Sequence, residues 1–172
     1  MNPYADMSRE ELLKALEMFA KNWLAHDGCW FLAAEQEFDM AAAIKLDEMA
    51  WERFAVAEAR RIMKGFDIEP GGGLEALGKA LSLRMYAVIN EQHIEWSDDR
   101  KTLRFFMDVC RVQETRRRKG MDDFPCKSVG ILEFTNFAKT VDPRIQTTCL
   151  HCPPDACGDK YCGWEFRLGE TS

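Results

Sequence analysis

Apolar residues recur every three or four positions near the start of the chain. Leu12, Leu16, Phe19 and Trp23 form one stripe, with Leu13, Ala20 and Leu24 beside it. That period marks an amphipathic helix. Ser8-Arg9-Glu10-Glu11 supplies a capping box in front of it, so the spacing predicts a helix over about 9–26. His26-Asp27-Gly28 is expected to break it, and Asp27 to cap a second helix from about Cys29 to Glu37. Asp39 caps a long third helix reaching about Lys64, and Gly65 ends it. On that helix Ile44, Asp47, Trp51, Phe54, Glu58 and Arg61 share one face. The stripe has two readings. It is a core edge where Glu58 meets Arg61 as a local ion pair, or a pocket wall whose polar groups hold a ligand.

Glu69-Pro70-Gly71-Gly72-Gly73 cannot continue a helix. It separates a helical part, 1–68, from a second part, 74–172, the two forming separate units or one compact domain. A fourth helix then puts Leu74, Leu77, Leu81 and Arg84 on one face. The period next falls to two, from Tyr86 to Trp96 and again from Thr102 to Val109. The intervening Ser97-Asp98-Asp99-Arg100 makes this a β-hairpin. Arg111 to Lys119 reads as a helix stopped by Gly120. Its basic run Arg116-Arg117-Arg118-Lys119 lies where the helix dipole favours cations, as a solvated end or an anion site. Pro125 opens a helix from Cys126 to about Thr140, which Asp142-Pro143 ends. Arg144 to Cys152 and Tyr161 to Leu168 read as two short strands. The expected class is α+β, a helical N-terminal segment followed by a mostly antiparallel sheet of about four strands packed against helices.

Composition narrows the partners. At 172 residues, 47% hydrophobic and 30% charged, the chain is globular rather than disordered. A net charge of −6 argues against nucleic acid as a partner, because phosphate contacts need a basic surface. No apolar run is long enough for a membrane span. Asp6, Glu10 and Glu11 stand where a signal peptide needs apolar residues. Seven cysteines, an odd number, fit a reducing compartment, so a cytoplasmic location is expected.

Those cysteines carry the clearest chemistry. Cys149-x-x-Cys152 is a two-ligand knuckle, and Cys162 returns on the facing strand. The fourth thiolate of a tetrahedral zinc site, with bonds of about 2.3 Å, comes from Cys126 or from its rival Cys157. Cys126 starts a helix, which favours its thiolate. Cys110 is left over. Four thiolates also suit an iron–sulfur cluster, and buried free cysteine is a further reading.

The terminal run Gly158-Asp159-Lys160-Tyr161-Cys162-Gly163-Trp164-Glu165-Phe166, after a cysteine on the preceding strand, resembles the signature that ends the 4-vinyl reductase domain. The order of hairpin, helix and cysteine-opened helix before it is similar too, and the resemblance covers about residues 74–172. It implies a small-molecule-binding α/β module. In its sensor members zinc is held by a helix-start cysteine, an acidic residue and two hairpin cysteines. By position these fall on Cys126, Cys149, Cys152 and Cys162. A cysteine stands where the family has the acid, and the loop before Cys162 is longer. Taken whole, with Trp23 and His26-Asp27-Gly28-Cys29-Trp30-Phe31 ahead of that part, the chain looks like uncharacterised proteins near the L-2-amino-thiazoline-4-carboxylate hydrolase-like family. That likeness implies hydrolysis.

Three functions follow as expectations. The first is a zinc-stabilised module binding a small molecule between sheet and helices, walled by Trp30, Trp51, Phe54, Glu58, Trp96 and Phe106. The second is a hydrolase with Cys110 as nucleophile and His26, oriented by Asp27, as base. The third is an assembly module whose aromatic N-terminal helices form a homodimer face.

Overall fold

The computed structural model describes residues 2–155 and 160–169. Helix α1 spans Arg9–Glu37. Its capping box forms as the sequence predicts: the Glu11 amide donates to Ser8 Oγ at 3.3 Å, and the Ser8 amide to Glu11 Oε2 at 2.8 Å. The expected break at His26-Asp27-Gly28 does not occur, and neither does a separate second helix. One glycine inside a helix costs only about 1 kcal/mol. Trp23 and Phe31, on either side of it, both pack against the cluster of Trp51, Phe124 and Val129. Packing against that cluster on both flanks outweighs the local preference.

Helix α2 spans Met40–Gly65, capped by Asp39, whose side chain accepts from the Ala42 amide at 2.7 Å. It buries Trp51, Ala55, Glu58, Ala59 and Ile62. Arg61 is exposed, so the local Glu58–Arg61 pair is corrected. Glu58 accepts instead from Arg84 Nε at 2.8 Å.

Helix α3, Gly73–Ser82, buries Leu74, Leu77 and Leu81. Helix α4 is a single turn, Tyr86–Ile89. Strand β1 then begins only at Glu91 and ends at Trp96, where the sequence predicts a strand from Tyr86. Tyr86 is drawn into an aromatic cluster instead, stacked on Trp51 at 5.8 Å and edge-on to Trp23 at 5.6 Å. Strand β2, Thr102–Val109, completes the hairpin. Helix α5 is Arg111–Arg118, and helix α6 is Lys127–Val141 with Cys126 at its N-cap. Strands β3, Ile145–His151, and β4, Cys162–Leu168, close the chain. The sheet is antiparallel in the order β1-β2-β4-β3. The fold is α+β, as expected.

Helix α6 lies between α2 and the sheet. Phe134 and Phe137 from α6 meet Leu103, Phe105, Trp164 and Phe166 from the strands in one buried core. Gly130 on α6 makes this close approach feasible, because a Cβ there would sit 2.7 Å from Trp164 Cζ2. The glycine-rich linker is stitched to the end of α6. The Gly71 amide donates to the Val141 carbonyl at 2.9 Å and the Gly73 amide to Asp142 Oδ2 at 3.0 Å. Gly71 and Gly73 both have positive φ, 77° and 65°, which glycine adopts without a Cβ clash.

Candidate functional site: a cavity between helices and sheet

A cavity of about 450 Å³ opens among α1, α2, α5, α6 and the inner face of the sheet. Its apolar wall includes Leu24, Phe31, Trp51, Phe105, Met107, Phe124, Phe134 and Trp164. These come from elements far apart in sequence, joined by the packing of α6 on the sheet and of α1 on α2. Its polar groups are Asp27, Asp47, Gln113 and Glu133 from the helices, with Arg84 from the α3–α4 connection and Tyr86 from α4. A largely apolar concavity with a few placed polar groups is the usual form of a small-molecule site.

Arg84 anchors the polar side. It is 3% exposed, and its Nη2 forms a close ion pair with Glu133 Oε1 at 2.7 Å. With the Glu58 contact, this gives a buried cation two carboxylates, which burial requires. Its guanidinium also lies 4.9 Å from the Phe137 ring centre and 5.7 Å from that of Trp51. Burial opposes the charge on Arg84, but Glu133 and Glu58 outweigh it and hold the guanidinium firmly protonated. Burial pushes the Glu133 carboxyl up, against the pull of Arg84. Asp47 is pushed up to about 7 by burial, then by the carboxylates of Asp27 and Glu133. Asp27 is also raised by burial, with His26 acting the other way.

Five cysteines line the same cavity: Cys29 from α1, and Cys110, Cys126, Cys152 and Cys162. The sulfurs of Cys126 and Cys152 stand 3.6 Å apart. Gln113 braces this corner. Its Nε2 donates to the Phe124 carbonyl at 2.8 Å and to Cys126 Sγ at 3.6 Å, and its Oε1 accepts from the Phe124 amide at 2.8 Å. The bond from Cys152 lowers the Cys126 pKa against the effect of burial. The Cys152 thiol is raised by its bonds with Cys126 and Cys162 and by burial. Burial pushes Cys110 up to about 12 and Cys149 up to about 11. Cys162 Sγ accepts from Trp164 Nε1 at 3.3 Å. Cys149 precedes a bulge in β3 that shifts the register before His151. Cys157 lies outside the described residues. Among the described residues no group of three or more His, Cys, Asp or Glu is arranged to hold a metal ion.

Of the aromatic wall expected from sequence, Trp51 lines the cavity. Phe54 stacks on Trp23 at 5.4 Å, behind that wall. Glu58 reaches the cavity only through Arg84. Trp96 packs beside Gly78 and under the Arg100 guanidinium, 4.2 Å from its ring centre. Phe106 stacks on His93 at 5.2 Å, outside the cavity wall. Trp30 is 69% exposed. Asp27 and Cys110 do line the cavity, whereas His26 is exposed and stands outside its wall.

The α5 stripe and Gln113 are what sequence reasoning missed. Arg111, Thr115 and Arg118 all face the cavity, with Lys119 beside them. Their spacing of four and three was the available signal. The basic run itself divides. Arg116 is buried and holds Glu35 with two contacts, at 2.9 and 3.2 Å, and Arg117 forks onto Asp123 at 2.8 Å.

The chain matches the family described as Family of unknown function (DUF6125) over residues 5–168. No curated protein matches it. Among solved structures, a trafficking protein particle complex subunit 3 from Naegleria fowleri, covalently bound to palmitic acid, aligns with a TM-score of 0.48 and 12% identity. That alignment covers 94% of this chain and 98% of that chain.

Proposed function

The chain belongs to DUF6125, and for this member we propose a small-molecule-binding α+β module acting in the cytoplasm. The observation that carries the reading is the cavity of about 450 Å³, apolar in its depth and bounded by Arg84, Asp47 and Glu133. Its volume lies in the range of small-molecule pockets, roughly 300–1,000 Å³. The 4-vinyl-reductase-like run at the C-terminus supports the same reading. Phenylnaphthylamine, a neutral dye that fluoresces in apolar surroundings, tests it. Binding by the wild type, lost in Cys110→Trp with the far-ultraviolet dichroism unchanged, is the expected result. A wild type that leaves the dye dark overturns the reading.

A second reading rests on the thiols. Two sulfurs bound tetrahedrally to one zinc at about 2.3 Å sit roughly 3.8 Å apart, and Cys126 and Cys152 stand at 3.6 Å. We propose that Cys126, Cys152, Cys162 and Cys149 hold a structural zinc tying the last hairpin to α6. The rival occupant of a thiolate set is an iron–sulfur cluster. Elemental analysis of anaerobically purified protein separates them. One zinc per chain in colourless protein, lost together with several degrees of Tm in Cys152→Ser, is expected; metal-free wild type removes the reading.

Beside the ligand, we propose a second copy of the chain as partner. Leu12, Leu13, Leu16 and Phe19 on α1 are 39%, 51%, 57% and 47% exposed, an apolar strip of the kind that marks interaction surfaces. Sedimentation velocity is expected to give a dimer that Leu16→Glu converts to monomer. A monomeric wild type at tens of micromolar rejects it.

A further inference from the structure

The cavity has a polarity that its volume alone does not convey. Its depth is closed by buried residues, Phe105, Phe134, Cys152 and Trp164 among them. Its rim includes the exposed Arg118 and Lys119 and the half-buried Arg111. On α5 positions 111, 115 and 118 follow the i, i+4, i+7 rule, so Arg111, Thr115 and Arg118 form one stripe. All three line the cavity. Arg111 and Arg118 stand about 10 Å apart along the helix axis, at about 1.5 Å per residue. That span leaves room for a small charged group between them.

The other cavity-lining cations are committed elsewhere. Arg84 is held by Glu58 and Glu133, Arg116 by Glu35, and Lys21 by Glu17. Arg111 and Lys119 have no ion pair among the described residues. Among the described residues Arg118 hydrogen-bonds only within α5, to the Glu114 carbonyl at 3.3 Å and to Thr115 Oγ1 at 3.1 Å. Cations at the C-terminal end of α5 are explained by the helix dipole alone. Arg111 is not: it occupies the first position of the helix, where the dipole disfavours a positive charge. Three carboxyls line the cavity, Asp27, Asp47 and Glu133, from α1, α2 and α6, and Glu17 of α1, within range of the Arg111 charge, is paired with Lys21. In a chain of net charge −6, an uncommitted basic stripe on the lip of an apolar cavity calls for an anion.

Building on the small-molecule reading, we propose that the cavity takes amphiphiles with an apolar body and an anionic head group, a carboxylate, sulfonate or phosphate. Arg111, Arg118 and Lys119 hold the head at the rim, Thr115 donates its hydroxyl to it, and the body fills the space down to Phe134 and Trp164. The charged group keeps part of its hydration at the rim, so the ligand enters without burying a bare charge.

Two dyes of similar apolar body test the head-group assignment. Anilinonaphthalene sulfonate carries the anion and phenylnaphthylamine lacks it. Wild type is expected to bind both, and rising salt to weaken only the sulfonate. Arg111→Gln combined with Arg118→Gln is expected to weaken the sulfonate roughly tenfold or more and leave the neutral dye within about twofold. Arg117→Gln removes the same kind of charge from a residue off the stripe, and is expected to change neither. Loss of both dyes equally in the double variant, or no loss of the sulfonate, overturns the anionic head group while leaving the cavity reading intact. Failure of wild type to bind either dye overturns both.

Discussion

At the scale of single residues, burial decides what each charged or small group does. Asp47 is the clearest case. Its carboxyl, near 3.8 in an unfolded chain, stands at about 7 in the fold because burial and the nearby Asp27 and Glu133 disfavour its charge. A raised folded value means that the stability Asp47 allows is full below pH 4 and is lost as pH rises through 7. Asp47→Asn is therefore expected to match wild type near pH 4 and to exceed it at pH 8 by on the order of 2 kcal/mol. Urea titrations across that range check this, and a constant offset at every pH contradicts it. Gly130 makes the opposite kind of prediction. A methyl there meets the fully buried Trp164 ring at 2.7 and 3.0 Å. Gly130→Ala is expected to lower stability by about 1–3 kcal/mol through overpacking, despite the better helix propensity of alanine. An unchanged or raised denaturation midpoint refutes it.

At the scale of elements, the same short-range signals were right where nothing competed and wrong where burial did. Ser8 and Asp39 cap α1 and α2 as their sequences predict. The His26-Asp27-Gly28 turn signal failed, because Trp23 and Phe31 pack against the buried Trp51, Phe124 and Val129 on both sides of it. The alternating run from Tyr86 failed in its first half, because the Tyr86 ring joins Trp23 and Trp51. The junction of α3 and α6 depends on one residue that a turn signal alone did not mark as special. Asp142 is fully buried, and its carboxylate accepts from the Gly73 amide and from Arg144. Arg144 leads the forces holding its pKa at about 2. A lowered folded value means that its contribution is present above about pH 4 and is lost as pH falls toward 2. Asp142→Ala is expected to cost about 1–3 kcal/mol at neutral pH, by leaving the Gly73 amide without its partner. It is also expected to flatten the acid limb of the stability profile. Stability equal to wild type at pH 7 shows that the junction does not depend on it.

At the scale of the whole molecule, the cavity exists because α6 is held between α2 and the sheet while α1 and α5 stand at its edges. The proposed ligand cavity, zinc site and head-group rim therefore belong to one structure, and each proposal has its own test substitution. The sequence by itself determined the α+β class, most element boundaries, both helix caps and the order of the last four elements. Those depend on contacts within a few residues, where periodicity and capping chemistry act directly. It also singled out Cys126, Cys149, Cys152 and Cys162, with Cys157 as rival, as a candidate ligand set. Only the tertiary structure decided which polar groups meet. Arg84 reaches Glu58 across 26 positions and Arg116 reaches Glu35 across 81. It alone decided that Trp51 lines a cavity while Trp30 and Phe106 do not. The reason is physical: a helix face or a strand pleat fixes the direction of a side chain relative to its own element, and only the packing of distant elements fixes what lies in that direction.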